Sequence, residues 1–289
     1  MKTTLFRTIS FFLLAGLVII SGCEKEKFEL TTNDSKDISE EAVVDAYYQD
    51  LDDLASVAIN APSDNEYSGG RSASTITIND NRFSCQGIVI TIDPSGTMEH
   101  PQGVITVDFG TTGCTDLRGN VRKGKLIFTY DGARFQPDSK VVTTTDNYFI
   151  NDVKLEGTRT STNISGSTQQ APKFHVVLEN GKATFPDGSS AVRESDITAS
   201  WIRGENPTMD KLIVHMGSTA SGTTRSGTDY LVSLTEQLEY QRFCGLAVSG
   251  IKNYLIDGTK NIIIDYGAGT CDKAITVTVN GITRTITIN

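Results

Sequence analysis

From residue 74 onward, apolar and polar residues alternate with a period of two along many short stretches. These stretches are rich in Thr, Val and Ile and are bounded by turn residues, as in IVITI, GKLIFTY and KNIIIDY. Such alternation is typical of strands with one buried face. The sequence therefore predicts an all-β body, a large antiparallel sandwich or barrel-like meander.

Four dipeptides mark expected hairpins within this body: Asn180-Gly181, Asp187-Gly188, Asp257-Gly258 and Asn280-Gly281. A two-residue type I′ turn needs positive φ at both central positions, which Asn, Asp and Gly tolerate best. We therefore expect strands to reverse direction at each of these four places.

Before the strands, apolar residues recur at helical spacing instead of alternating. Asp37 and Glu40 have the spacing of a capping box, which predicts a helix over about 38–58. Its apolar residues recur at helical spacing and form one face; they are Val43, Tyr47, Leu51, Leu54 and Ala58. The sequence predicts a short amphipathic helix that packs weakly on the β body and acts as a spacer or docking element.

The N-terminus has the pattern of an export signal. Lys2 and Arg7 precede an apolar run, and Ser21-Gly22 then lead to Cys23. Residues 1–22 are thus expected to be a lipoprotein signal peptide, with Cys23 acylated (palmitate among its chains) and inserted in a membrane. An ordinary secretory peptide with an incidental cysteine is the alternative. The expected location is the cell envelope, as an outer-membrane lipoprotein on either the periplasmic or the outer surface.

Charge is distributed unevenly along the chain. Residues 24–66 hold 13 acidic and three basic residues, whereas residues 67–289 hold 22 acidic and 21 basic ones. The sequence thus predicts a lipid-anchored acidic arm over 23–66 and a β domain over 67–289. Without a basic surplus, the β domain is not expected to bind nucleic acid.

Two similar phrases occur far apart in the β domain. VDFGTTGCTD contains Cys114 and follows RFSC at Cys85, while IDYGAGTCDK contains Cys271 and follows RFC at Cys244. This repetition predicts disulfides Cys85–Cys114 and Cys244–Cys271, in two related half-units of about 74–165 and 166–289. Four cysteines allow other pairings, and buried free thiols are a further alternative.

Longer segments around these phrases carry a family resemblance. VDFGTTGCTDLRGNVRKGKLIFTYDG, NYFINDVKLEGTRTSTN, ENGKATFPDG and IDYGAGTCDKAITVTVNGITRTITI together resemble a group of uncharacterised Bacteroidota outer-membrane and surface lipoproteins. The resemblance covers roughly 85–289. It implies export and an all-β fold, but it supplies no catalytic residue.

Candidate chemistry is sparse. The sequence contains three histidines and no nucleophile elbow, zinc helix or phosphate loop, so no catalytic residue, metal site or cofactor is expected. Asp108 and Asp265 occupy the same position in the two phrases, which favours a structural role over catalysis. Trp201, with Arg203 and Glu205, is the candidate ligand platform.

These observations favour a non-enzymatic binding or scaffolding lipoprotein whose partner is a glycan or an envelope protein. Two alternatives remain open. One is an envelope carbohydrate hydrolase that uses paired carboxylates, and the other is a lipid or lipoprotein carrier with an apolar groove.

Overall fold

The structure, a computed structural model, describes residues 30–61, 73–117, 119–133, 135–165, 171–205, 209–242 and 244–288. The expected signal peptide, Cys23 and most of the Pro/Ser/Gly-rich stretch after the helix lie outside these ranges. Within the ranges, no helix is both long enough and apolar enough to cross a membrane.

One α-helix is followed by seventeen strands in the described part of the chain. The helix is α1 (Thr32–Asn60). The strands are β1 (Ser74–Thr75), β2 (Val89–Pro94), β3 (Gln102–Asp108), β4 (Cys114–Thr115), β5 (Val121–Asp131), β6 (Lys140–Ile150), β7 (Val153–Asn163), β8 (Lys173–Thr184), β9 (Ser190–Ile202), β10 (Lys211–Val214), β11 (Thr219–Thr223), β12 (Asp229–Leu234), β13 (Leu238–Gln241), β14 (Ala247–Ile256), β15 (Lys260–Ala268), β16 (Ala274–Val279) and β17 (Ile282–Thr287).

All pairings within the sheet are antiparallel. Strands β2, β3, β5, β6, β7, β8 and β9 follow one another as a meander, and β1 and β4 are short additions to it. β10 and β11 both pair with β9, so together they act as one interrupted strand. β12 and β13 both pair with β14 and act as a second interrupted strand. β15, β16 and β17 complete the sheet. The predicted all-β meander after an N-terminal helix is confirmed.

Three of the four expected hairpin turns are present. Asp257-Gly258 joins β14 to β15 with φ of 48° and 65°, and Asn280-Gly281 joins β16 to β17 with φ of 49° and 78°. Both have the positive values that a type I′ turn requires. Asp187-Gly188 lies in the longer connection between β8 and β9.

The fourth prediction is wrong, and one turn was missed. Asn180-Gly181 lies inside β8, where the register with β9 shifts, so it forms a bulge and the strand continues. Asn151-Asp152, with φ of 50° and 63°, makes the tight turn between β6 and β7 without a glycine. Asn and Asp adopt this left-handed conformation more readily than other non-glycine residues.

The helix begins earlier and is longer than its sequence pattern indicated. Its N-cap is Thr31, whose hydroxyl accepts a hydrogen bond from the Asp34 backbone while the Asp34 carboxylate accepts one from the Thr31 backbone. This capping box replaces the one expected at Asp37 and Glu40. Both pairs have the three-residue spacing of a capping box, and the upstream one makes the helix begin six residues earlier than predicted.

The strands surround the helix. From Asp37 to Ile59 no helix residue is exposed. Helix side chains contact residues of β5, β7, β9, β13, β14 and β15. The sheet therefore curls around α1, which lies on its inner face.

Eight carboxylates project from α1, and each has a partner in the β body. Glu41 accepts hydrogen bonds from Arg193 (Nη1–Oε1, 2.6 Å) and Lys252 (Nζ–Oε2, 2.9 Å). Asp52 accepts two from Arg159. The other pairs are Asp34–Lys260, Asp37–Ser226, Glu40–Arg225, Asp45–Arg193, Asp45–Tyr240, Asp50–Arg82, Asp50–Arg122, Asp53–Arg82 and Asp53–Arg242.

The prediction that this helix packs only weakly on the β body is wrong, while the bounds 23–66 and 67–289 stay predictions. Its acidity does not face solvent, because it neutralises cations that are directed inward by the strands and by a short 3₁₀ helix (Asn81–Phe83) before β2. Those that are themselves buried are Arg82, Arg122, Arg159, Arg193 and Lys252. A buried charge is costly unless it is paired, so helix and strands each need the other's charges.

The buried apolar residues form two clusters, and the helix contributes to both. Its C-terminal part, including Leu51 and Leu54, packs with residues between Ile76 and Ala183. Its N-terminal part, including Ile38, packs with residues between Phe174 and Ile288. The helix thus links two cores that correspond roughly to the expected half-units; their common origin stays a prediction.

The two repeated phrases adopt the same local structure. Cys85 and Cys114 lie at disulfide distance with Cα atoms 5.6 Å apart, and Cys244 and Cys271 do so at 5.4 Å. The Asp108 and Asp265 carboxylates accept the backbone N–H two residues later, at 2.9 and 2.7 Å. In both copies that N–H belongs to a glycine with positive φ, 73° at Gly110 and 82° at Gly267. Each aspartate thus stabilises a turn, the role the repetition favoured.

Candidate functional site

A cleft of about 350 Å³ opens beside the helix. Its helix wall is formed by residues at successive turns, among them Val43, Tyr47, Asp50 and Asp53. Val43 and Tyr47 belong to the apolar face predicted from sequence, but they are only half-buried. Part of the apolar face of the helix is therefore accessible from the cleft.

The opposite wall comes from the second half of the chain. It includes Trp201 at the end of β9, Asp210 and Leu212 at β10, and Tyr240 and Arg242 at the end of β13. Its rim contains Cys244 of the second cysteine pair and Lys273 two residues beyond Cys271. The first half contributes polar residues from the β4–β5 and β6–β7 connections, Asn120 and Asn151.

Trp201 is half-buried in this wall and its orientation is fixed by Asp210. The indole N–H donates to Asp210 Oδ2 at 3.3 Å, and the Gly204 N–H donates to Oδ1 at 3.0 Å. Of the three residues of the predicted platform, only Trp201 lines the cleft. Arg203 and Glu205 are exposed, and Arg203 packs 4.5 Å from the centre of the Phe135 ring. The sequence neighbours of Trp201 are not its neighbours in the site.

Among the described residues, Tyr47 and Tyr240 also line the cleft. Tyr47 Oη lies 3.3 Å from Asn151 Nδ2, which also donates to Asn120 Oδ1 at 2.9 Å. The Tyr240 hydroxyl donates to Asp45 Oδ2 at 2.6 Å. Burial, reinforced by the Asp45 charge, raises the pKa of Tyr240 well above its usual value, so it remains a neutral donor. Both rings are thereby held in fixed positions.

A network of ion pairs extends from Asp50 and Asp53, which line the cleft, into the protein. Arg82 contacts Asp53 at 2.5 Å, Asp80 at 2.9 Å and Asp50 at 3.4 Å. Arg122 contacts Asp50 at 2.6 Å and Asp116 at 2.8 Å. The guanidinium groups lie beneath the carboxylates, since the side chains of Arg82 and Arg122 are 2% and 1% exposed whereas that of Asp50 is 15% exposed.

The two repeated phrases meet in this network. Arg82 precedes Cys85, and Arg242 holds the corresponding place before Cys244. Arg242 lies 3.5 Å from Asp53, 3.3 Å from Asp80 and 3.9 Å from Asp210. Both repeat-related arginines thus contact the same two carboxylates, and each cysteine pair fixes a segment that directs an arginine to the C-terminal half of the helix.

These contacts keep the Asp80 carboxylate ionised. Burial alone would raise the pKa of Asp80, but its hydrogen bonds with Arg82 and the charges of Arg82 and Arg242 outweigh burial and lower it to about 2. Burial alone would likewise lower the pKa of Arg82, but the surrounding aspartates raise it. The Asp80–Arg82 pair is therefore charged at neutral pH.

The histidines lie apart from this cleft, and each has its own partner. His100 contacts Asp131, His175 contacts Asp196, and His215 lies 2.7 Å from the Ser200 hydroxyl. In the described ranges no group of three His, Cys, Asp or Glu residues is arranged to hold a metal ion.

Sequence reasoning missed Asp53, Asp210, Tyr240 and Arg242 as site residues. Arg242 could have been found, because it repeats the Arg-Phe position of the first phrase. The others carry no local signal, since the helix and the ends of β9, β10 and β13 are brought together only by the fold. Comparison with protein-family models, curated proteins and solved structures finds no match to this chain.

Proposed function

We propose that this protein is an exported, lipid-anchored envelope protein that binds a small saccharide in the cleft without altering it chemically. The carrying observation is the fixed Trp201 indole on one wall, facing a space bordered by hydrogen-bonding side chains. The flat apolar face of a sugar ring packs on an aromatic ring, while its hydroxyls need donors and acceptors. Tyr47, Tyr240 and Asn151 extend both kinds of surface.

The size of the cleft supports a small ligand. Its volume of about 350 Å³ lies at the lower end of the range for sites that enclose most of a small molecule. The polar groups are positioned before any ligand arrives, since Asp210 and Tyr240 already make hydrogen bonds within the protein. Such pre-organisation reduces the entropy lost on binding.

The state of the carboxylates favours binding over hydrolysis. A glycosidase needs one carboxyl group that stays protonated to act as an acid. In this cleft Asp50 contacts two guanidinium groups and Asp53 contacts Arg82 at 2.5 Å. Both carboxylates are thus held in ion pairs with arginines of the protein, which favours a structural role for them.

The interior of the sheet disfavours the carrier alternative. A lipid carrier would need an apolar trough along the strands, and in the described residues the helix occupies that position. Its enclosed residues, from Asp37 to Ile59, leave the side cleft as the better place for a ligand.

The titration of Trp201 emission tests the binding proposal. Trp201 is the only tryptophan in the chain, so its fluorescence reports on this cleft. Added oligosaccharides of neutral, acidic and amino types should include one that changes the emission saturably. Trp201→Phe should lower the affinity for that ligand about tenfold, as measured by calorimetry. This is equivalent to ~1.4 kcal/mol of lost stacking energy.

Arg203→Ala is the matched control, because Arg203 is near Trp201 in sequence but outside the cleft. It should leave the affinity within about twofold, as surface substitutions away from a site usually do. The proposal is contradicted if no sugar changes the emission, or if Arg203→Ala weakens binding by calorimetry as much as Trp201→Phe does.

The membrane anchor has a separate test. The apolar run that ends at Ser21-Gly22-Cys23 and the resemblance to Bacteroidota lipoproteins both support acylation at Cys23. Cys23→Ser should move the protein from the membrane pellet to the soluble fraction, while Ser21→Ala, which keeps a small residue, should leave it in the pellet. A Cys23→Ser protein that still sediments with membranes would exclude this anchor.

A further inference from the structure

We propose that two copies of this chain associate through β17 (Ile282–Thr287), the last strand of the sheet, as an antiparallel pair about a two-fold axis. The partner is therefore a second copy of the same molecule, and the inference does not depend on the ligand of the cleft. It follows from the open edge of this strand, from its exposure to solvent, and from the way its sequence matches itself in reverse.

β17 is an open edge of the sheet. In the described ranges its strand neighbour is β16 alone, to which the turn at Asn280-Gly281 joins it. At the other end of the sheet, the edge strand β1 is only two residues long. Proteins usually protect a long edge with proline, lysine or a bulge, because its unpaired N–H and C=O groups can bind another strand. β17 contains no proline or lysine, and its register with β16 is unbroken.

The backbone groups of alternate residues face the open side of β17. The Ile288 N–H donates to the Lys273 carbonyl at 2.9 Å, so the even-numbered residues of this strand direct their backbone groups toward β16. Successive residues of an antiparallel strand direct these groups to opposite sides. Thr283, Thr285 and Thr287 therefore direct theirs away from the sheet, and all three residues are exposed. Each of them offers one donor and one acceptor to a further strand.

The sequence of β17 matches itself when one copy is reversed. If the two-fold axis passes beside Thr285, that residue faces its own copy, and Thr283 faces Thr287 of the second copy on the same side of the joined sheet. Arg284 then faces Ile286 of the second copy on the other side. Cross-strand Thr–Thr pairs stabilise a sheet, whereas like charges directly opposite each other destabilise it. An axis beside Arg284 would place the two arginines opposite each other, so the axis beside Thr285 is favoured.

This association closes as a dimer. Both copies contribute the same strand, and once the two edges are paired neither β17 has a free side for a third copy. The contact is small, because it joins one strand to one strand, and small interfaces are transient in solution. The lipid anchor proposed at Cys23 would favour the dimer, since molecules held on one membrane meet at a higher effective concentration.

Sedimentation velocity on the mature chain, expressed from Glu24 so that it carries no lipid, tests the inference. The average mass should rise from that of a monomer toward that of a dimer between about 10 and 500 µM, the range expected of a small interface. Amide hydrogen exchange locates the contact. The N–H groups of Thr283, Thr285 and Thr287 should exchange more slowly as the concentration rises, whereas β16 protects those of the even-numbered residues at every concentration.

Variants of β17 separate backbone pairing from folding. Thr285→Pro removes the N–H beside the two-fold axis, which faces away from β16, so it should weaken the dimer about tenfold or more while the monomer still unfolds cooperatively. Thr285→Val is the matched control, because it keeps the N–H and the strand preference; it should leave the association within about threefold. Arg284→Ser removes like charges that lie diagonally across the contact, so it should tighten the dimer about two- to threefold.

Several results would overturn the inference. A monomer at every concentration does so, and so does a dimer that leaves the amide exchange of Thr283, Thr285 and Thr287 unchanged. An assembly that grows beyond two copies excludes the closed pair, and an equal loss for Thr285→Val and Thr285→Pro excludes backbone pairing. If Thr285→Pro does not fold, the amide exchange of the unsubstituted chain decides. None of these results affects the saccharide proposal, which has its own measurement.

Discussion

Deletion of residues 30–61 from the mature protein is expected to abolish folding of the β body. The deleted chain should give no cooperative thermal or urea transition, whereas a chain that begins at Glu29 should unfold cooperatively. Circular dichroism and tryptophan emission during urea titration measure both. Had the helix been a spacer, its loss would have left the melting temperature nearly unchanged.

The size of the effect follows from what the helix buries. Its large side chains with at most 4% exposure are Ile38, Val44, Tyr48, Leu51, Leu54 and Ile59. At about 1.5–3 kcal/mol for each, they contribute on the order of 10 kcal/mol, which is comparable with the whole net stability of a typical domain. The five buried cations that contact the helix would also lose carboxylate partners, at a further ~3–5 kcal/mol for each charge left unpaired.

Complementation provides the control for this deletion. If the helix acts only through packing and charge pairing, a synthetic peptide of residues 30–61 should restore a cooperative transition when added to the deleted chain. A deleted chain that folds stably without the peptide would contradict the interpretation of the helix as the centre of the core.

Glu41→Gln is expected to cost about 3–5 kcal/mol of unfolding free energy, the cost of breaking a buried ion pair. Glu41 is 3% exposed and contacts two buried cations, Arg193 and Lys252. Burial alone would lower the pKa of Lys252, but the charge of Glu41 outweighs burial and raises it, so Lys252 stays charged at neutral pH. Glutamine keeps the shape but leaves that ammonium without its carboxylate. Urea denaturation at pH 7 measures the loss.

Glu40→Gln is the matched control, one residue away. Glu40 pairs with Arg225, but the two side chains are 18% and 20% exposed. Water screens such a pair, so the expected loss is within about 1 kcal/mol. Equal losses for the two variants would show that burial does not govern the strength of these pairs.

Much of the fold was predictable because it depends on local rules. Strand alternation identified the meander, and Asp257-Gly258 and Asn280-Gly281 identified their turns, since φ preferences act over two residues. The repeated phrases predicted both cysteine pairs, and in the structure the members of each pair lie at disulfide distance. Asn180-Gly181 failed because the same backbone preference also suits a bulge, and only the neighbouring strand decides between them.

The position of the helix was not predicted, because its signal lies in the strands. Arg122 is in phase with Leu126 and Phe128 of β5, and Lys252 is in phase with Tyr254 and Ile256 of β14, so each cation shares the inward face. In the alternating pattern of the strands, these residues are polar positions on a face that is otherwise apolar. Only when the inward cations are matched to the acids of the preceding helix do they indicate a charged partner inside the sheet.

The cleft was even less accessible from the sequence. Trp201 was identified by its residue type, but the side chains that complete its surroundings, Asp53 and Arg242, lie 148 residues before it and 41 residues after it in the chain. Such a site depends on tertiary structure alone. The predicted neighbours Arg203 and Glu205 failed because successive residues beyond a strand end point in different directions.

The enclosed helix also determines when the chain can complete its folding. The helix is synthesised first, yet Glu41 pairs with a lysine 211 residues later and Asp34 with one 226 residues later. A single helix with eight carboxylates and one lysine has little stability in water, and contacts of such long range form slowly. The core therefore cannot be completed until the last hairpins are available, and during that interval the apolar strands are exposed to aggregation.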